Sequence, residues 1–202
     1  EHRVWLIGGT LPLTLAASES GNGAAVDRVT NSDLVFSPDG ELAARYDKIH
    51  LFAYDSGREH YDEGRTLRAG VAPVAFDAAG VRVGLSVCYD LRFPELYRAL
   101  MQPPCDLLSV PSAFTHTTGA AHWEVLLRAR AIENQCYVLA AAQGGTHENG
   151  RRTFGHSLIV GPWGEVVACL EEGEGVVVAE LDRDRIAAVR RQLPALDHRR
   201  HF

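Results

Sequence analysis

The chain has 202 residues, 46% of them hydrophobic, and a formal net charge of −6. That length supports one sizeable core and is short for two ordinary domains, and the apolar share excludes a disordered chain. The acidic balance argues against general binding to nucleic acid or anionic membranes, because neutralising phosphates takes clustered Lys and Arg. The basic clusters present, Arg190-Arg191 and His198–His201, are short and terminal. Cys88, Cys105, Cys136 and Cys169 lie far apart with no C-x-x-C pair, so neither a metal site nor a disulfide framework is expected. Free thiols suit a reducing cytoplasm. No apolar run reaches the length of a membrane span, and there is no signal-peptide pattern.

In chain order, Glu1-His2-Arg3 has no initiator Met and leads into VWLIGGTLPL, a strong strand pattern. A turn-rich run, Ala17–Ala25, follows. RVTNSDLVF, the turn Ser37-Pro38-Asp39-Gly40 and ELAARYDKIHL then read as a β-meander that delivers Lys48 at the end of its second strand. A surface site is the commonest fate of a lysine. Lys48, however, is flanked by Ile49, Leu51 and Phe52, and a desolvated ammonium is expensive without a task or a partner. Ala53–Gly70 is polar and Gly-containing, and reads as one long loop.

The stretch VRVGLSVCYDLRFPELYRAL, Val81 to Leu100, organises the rest. Val83, Leu85 and Val87 alternate as in a buried strand that ends at Cys88, and Pro94 then opens a helix. A thiol at a strand-to-helix turn sits on rigid elements and can face a cleft, which suits a nucleophile; an inert core cysteine is the competing reading. DLLSVP, Asp106–Pro111, reads as a second strand parallel to the first, closing a right-handed βαβ unit. Ser112–His122 then reads as a loop at its carboxyl end, where open α/β sheets bind ligands, with Phe114, Thr117 and Thr118 as candidate lining. Trp123–Glu133 reads as an amphipathic helix whose Trp123, Leu126, Leu127 and Ile132 form a core or subunit stripe, with Glu124–Arg128 and Arg130–Glu133 as pairs. Strands are expected at Tyr137–Ala142, Ser157–Val160, Val166–Leu170 and Gly175–Leu181. Asp182 caps a last helix, Arg183–Leu193, and a tail from Pro194 leaves the domain.

Four of these segments resemble one known family in the expected order. CYDLRFPEL looks like the nucleophile segment of the nitrilase superfamily, the carbon–nitrogen hydrolases. RYDKIHLF resembles its catalytic-lysine segment, HWEVLLRARAIENQCYVLAAAQ its second long helix and following strand, and GHSLIVGPWGEVVA a late strand and hairpin. The resemblance runs from Arg3 to Arg200. It implies one α/β domain over 1–202, a four-layer α-β-β-α sandwich lacking its first strands and helices. The family's general-base glutamate belongs to the part ahead of residue 1, and neither Glu1 nor Glu19 matches its motif.

The resemblance also implies roles. Cys88 is the nucleophile, Lys48 an oxyanion donor together with the backbone of Tyr89, and Glu63, in EGRTL, a second active-site glutamate, with Glu59 and Asp62 as competitors. Arg92, Phe114 and Thr118 become substrate-binding candidates, Arg92 for a substrate carboxylate or, alternatively, as a surface or subunit salt bridge. No cofactor or metal is implied, and the partners are a small amide substrate and further copies of the chain in a homodimer or larger homo-oligomer. PSAFTHTTGAAHWE and LPALDHRR look most like the deaminated-glutathione amidase branch, which implies release of 2-oxoglutarate and cysteinyl-glycine. An ω-amidase acting on 2-oxoglutaramate, or an inactive fragment or binding module without the base, are the alternatives. A papain-like protease would need a histidine beside the thiol, drawn from His50, His122 or His156.

Overall fold

The computed structural model describes residues 2–14, 28–57 and 60–200. Ala17–Ala25, with Glu19, and also Glu1 and Glu59, lie outside the described residues. The chain opens with three antiparallel strands, β1 (Leu6–Leu13), β2 (Val29–Phe36) and β3 (Leu42–Asp47), in the order β1-β2-β3. A register shift between Ile7 and Thr10 marks a bulge at Gly8-Gly9, where Gly9 adopts φ +72°, a conformation that favours glycine.

Ala53–Gly70 is not one loop. It holds a small hairpin, β4 (Ala53–Asp55) with β5 (His60–Asp62), a single 3-10 turn (Glu63–Arg65) and a short β6 (Leu67–Arg68) parallel to the start of β2. The sequence hides this because each piece is too short to show a period; Asp62 starts the turn by accepting from the Gly64 N–H.

A six-stranded mixed sheet forms the second layer. Its strands are β7 (Ala75–Ala78), β8 (Val81–Leu85), β9 (Leu107–Ser109), β10 (Tyr137–Ala140), β13 (Ser157–Val160) and β14 (Val166–Leu170), in spatial order β14-β13-β10-β9-β8-β7. The hairpin β11 (Gly144–Thr146) with β12 (Arg152–Phe154) stands off it. β8, β9 and β10 run parallel, as the βαβ reading requires. The strand expected to end at Cys88 ends at Leu85; Ser86 and Val87 lead to a 3-10 turn over Cys88–Arg92, followed by α1 (Pro94–Ala99) with Pro94 at its first position.

α2 spans His116–Asn134, seven residues longer at its start than the expected helix. Thr115 caps it by accepting from the Thr118 N–H, and Gly119 lets it lie against β12, since a Cβ there would come within 2.3 Å of Phe154. Trp123 and Leu127 are buried, whereas Ile132 is half exposed, so the inward stripe ends a turn early; Arg130 is buried in its stead. The Glu124–Arg128 and Arg130–Glu133 pairs form, at 3.3 and 2.9 Å.

α3 (Arg183–Gln192) is capped by Asp182 as expected. Gly175–Leu181 is not a strand: it pairs with no described neighbour, and Val176 and Val178 are exposed. Nor does the tail leave, because Leu196 packs on the core and Arg199 donates to the Arg98 carbonyl. Val35 and Tyr46 of the smaller sheet share one core with Leu85, Val87 and Leu108 of the larger, and α1 and α2 add Leu96, Tyr97, Trp123 and Leu127. Two sheets thus face each other with helices outside the larger one; among the described residues no helix covers the smaller sheet. No described helix is long and apolar enough to cross a membrane.

One buried group sets a pH dependence. Asp33, on β2, is fully buried with neither carboxylate oxygen hydrogen-bonded in good geometry. Burial pushes its carboxyl up to about 7, with the Gly9 and Leu34 N–H groups pulling the other way. The folded protein therefore holds a proton that the unfolded chain releases near the ordinary carboxylate value. Stability attributable to this group falls as pH rises from about 4 to about 7, by up to roughly 4 kcal/mol. Asp33→Asn should remove that dependence, so chemical denaturation should show the variant gaining on the parent at pH 8 relative to pH 4.5.

Candidate active site

β8 delivers Cys88 to the open end of the larger sheet, and the turn beyond it is strained. Cys88 has φ +51°, in the left-handed region that non-glycine residues avoid. Its N–H donates to the Pro111 carbonyl at 3.0 Å, which pins the turn to the end of the neighbouring β9 segment. The Ala113 N–H lies near its sulfur and favours the thiolate. Tyr89 is the second residue of the 3-10 turn, where backbone N–H groups precede any intrahelical acceptor. Its ring sits edge-on to Phe52 and Phe93 at 5.1 and 5.2 Å.

Lys48 follows β3 directly. Its side chain is 1% exposed, which excludes the surface reading, and its Nζ donates to Glu63 Oε2 at 2.6 Å. That oxygen also accepts from the Phe52 N–H at 2.7 Å. Of the three acidic candidates in this segment, Glu63 is the one on Lys48; Asp62 is spent on the Gly64 N–H and Arg65, and Glu59 lies outside the described residues. Cys88, Lys48 and Glu63 line one cleft of about 550 Å³, with Asn31, Gln143, Ser157 and the Gly8-Gly9 bulge on its walls.

Asp90 holds the lysine segment and the thiol turn together. It is fully buried and accepts from Tyr46 Oη at 2.7 Å, Val87 N at 2.9 Å and His50 N at 3.0 Å. His50 Nδ1 lies 2.7 Å away and, facing a carboxylate, carries its proton there. Burial and Asp90 push the Tyr46 hydroxyl far up, so it remains a donor. Arg130 braces the same turn from α2, donating to the Leu91 carbonyl at 2.7 and 3.1 Å.

Burial raises the Cys88 pKa above the ordinary thiol value. Lys48 opposes this most, then the Ala113 N–H and Arg151, while Glu63 adds to it. The resting sulfur is therefore a thiol at neutral pH, and its ionisation depends on a base and on the cations around it. None of the three candidate histidines serves as that base. His50 is turned to Asp90, His122 to Arg92 at 3.3 Å, and His156 to the Phe154 carbonyl at 3.0 Å.

A second, narrow pocket of about 20 Å³ opens from Cys88 and is lined by Tyr89, Arg92, Phe114 and Thr118. The Arg92 guanidinium lies 5.3 Å from the Phe114 ring centroid and 5.9 Å from that of Tyr89. Thr117 is not among its lining residues. Arg151 borders both the pocket and the cleft, and nothing in the sequence reading singled it out. The signal available was weak: a basic residue just after the Asn149-Gly150 turn of a hairpin whose place over the cleft depends on the packing of Phe154 against Gly119. Asp90 was also passed over, although it lies two residues from the thiol. Among the described residues no group of three His, Cys, Asp or Glu side chains is arranged to hold a metal.

Residues 1–191 match the family profile described as carbon-nitrogen hydrolase. The deaminated glutathione amidase of Yersinia enterocolitica is 43% identical over 201 residues, covering 98% of this chain and 68% of that protein. The omega-amidase NIT2 of Homo sapiens is 41% identical over 201 residues, covering 99% and 69%. The crystal structure of the C. elegans NitFhit protein matches with a TM-score of 0.88 at 43% identity, covering 98% of this chain and 47% of that one. The chain thus spans about two thirds of the length of the two amidases and about half of the NitFhit chain.

Two outcomes follow from this electrostatic arrangement. Lys48→Met removes the largest influence holding the thiol pKa down, so alkylation of Cys88 by iodoacetamide at pH 8, followed by peptide mass spectrometry, should slow at least several-fold. Asp90→Asn strips a buried acceptor from several donors, and should cost about 2–4 kcal/mol in urea denaturation.

Proposed function

Because the chain belongs to the carbon–nitrogen hydrolase family, the nitrilase superfamily, we propose that it is a thiol amidohydrolase that cleaves a small carboxylated amide through a Cys88 thioester. The substrate favoured by the relatives' names is deaminated glutathione, giving 2-oxoglutarate and cysteinyl-glycine. The observation that carries the reading is the buried Lys48 ammonium held by Glu63 in the same cleft as a strained cysteine. An ammonium kept dry by one carboxylate is poised to meet new negative charge where water cannot compete.

The chemistry follows from those groups. The Cys88 sulfur, once deprotonated, attacks the amide carbonyl, and the oxygen that becomes anionic is met by Lys48 and by the Tyr89 N–H. Each such donor contributes on the order of 3 kcal/mol to the barrier in hydrolases of this kind. The tetrahedral adduct collapses to a thioester as the amine leaves with a proton, and water then releases the acid and restores the thiol. Glu63 is committed to Lys48 and the Phe52 N–H, so the proton transfers fall to another group, which the family resemblance implies is a glutamate.

Arg92 takes the substrate's acyl-side carboxylate, moving off the Phe114 ring to admit the chain, with Thr118 beside it. A second reading, the ω-amidase reaction on 2-oxoglutaramate, is favoured by the similarity to human NIT2 and uses the same acyl side. The proposal extends to a cytoplasmic homo-oligomer: all four cysteines are free, and Val125, Val176 and Val178 offer apolar surface to a second copy.

Cys88→Ala and Lys48→Ala should each lower turnover of deaminated glutathione and of 2-oxoglutaramate by at least a thousandfold, followed by release of 2-oxoglutarate. Undiminished turnover in the Cys88 variant would refute the thioester route.

A further inference from the structure

Three cations border the two spaces that meet at Cys88, and they are not equivalent. Lys48 is neutralised by Glu63, whereas among the described residues neither Arg92 nor Arg151 is paired with a carboxylate. Arg151 is held in place on both sides. Its Nη2 donates to the Ala113 carbonyl at 2.8 Å, its guanidinium lies 5.3 Å from the Tyr61 ring centroid, and its Nε is buried with no acceptor. Its guanidinium has donors left over beyond the bond to Ala113, and a carboxylate in the cleft suits them. The hairpin that carries Arg151 is itself anchored, by Thr153 bridging to Thr115, by the Phe154 N–H donating to the Phe114 carbonyl at 3.0 Å, and by His147 Nε2 at 2.7 Å from Thr153 Oγ1.

The two spaces that meet at the sulfur also differ in size. Arg92 borders only the narrow pocket, while Arg151 stands at the junction and borders the wide cleft of about 550 Å³.

We propose that Arg151 determines specificity on the leaving-group side, binding a carboxylate carried by the amine half of the amide while Arg92 binds one on the acyl half. The inference rests on the amidohydrolase reading above and sharpens it. The preferred substrate is a secondary amide with an anionic group at each end, cleaved as R–CO–NH–R′ + H₂O → R–COO⁻ + R′–NH₃⁺, with a carboxylate in both R and R′. Deaminated glutathione has that form; 2-oxoglutaramate, with no carboxylate in its leaving group, does not.

The test uses three probes: deaminated glutathione, its analogue with the terminal glycine carboxylate converted to a carboxamide, and 2-oxoglutaramate. The parent protein should prefer deaminated glutathione over the carboxamide by 10- to 100-fold in kcat/KM. Arg151→Gln should lower deaminated glutathione at least tenfold more than it lowers the carboxamide or 2-oxoglutaramate, mainly through KM, whatever common loss the weaker pull on the thiol imposes on all three; Arg151→Lys should restore part of the preference. Calorimetric binding of deaminated glutathione and its carboxamide in a Cys88→Ala background, with and without Arg151→Gln, should show the same split without turnover. Equal losses on all three probes, or no preference in the parent, would overturn the assignment of Arg151 and leave the amidohydrolase reading standing. Failure of the parent to turn over any probe, together with failure of the Cys88→Ala protein to bind, would overturn both.

Discussion

A fully buried carboxylate ties this structure together. Asp90 lies between the thiol turn after β8 and the lysine segment after β3, and it accepts hydrogen bonds from both. The two segments belong to different sheets, and nothing in the covalent chain fixes their distance. A buried charge that several donors satisfy does fix it, because shifting either segment would leave the carboxylate short of partners in a medium that cannot solvate it. The position of Lys48 relative to Cys88 follows from that constraint.

The electrostatics of the cleft follow in turn. Burial makes the thiol reluctant to ionise, and the nearby cations offset part of that reluctance. Glu63 plays two parts: it holds the ammonium in place, and its own charge adds to the burial that keeps the sulfur protonated at rest. A thiol so placed stays protonated until a base or further positive charge is brought to it. The strained backbone lies at the same residue: Cys88 packs against the core in a left-handed turn and borders the cleft.

The parts of the fold that sequence foretold are those with long, regular signals. β1 to β3 alternate clearly, β8 and β9 are short apolar runs bounded by turn residues, and Asp182 announces α3. The errors fall where a tertiary contact outweighed a local signal. The first two turns of α2 read as a Ser/Thr/Gly loop, and they are helical because Thr115 caps them and Gly119 lets Phe154 approach. Gly175–Leu181 has every mark of a strand except a described neighbour to pair with. Strand propensity without a partner leaves Val176 and Val178 exposed.

Sequence by itself determined the family, the order of the elements and the residue types a thiol amidase needs, because those depend on local pattern and on motifs whose spacing survives in one dimension. Only the tertiary structure decided which acid meets Lys48, that the candidate histidines turn away from the sulfur, and that Arg151 arrives at the cleft from a hairpin more than sixty residues past the thiol. Charge pairing and desolvation act through space, and their strength depends on separations of a few ångströms that no spacing along the chain encodes.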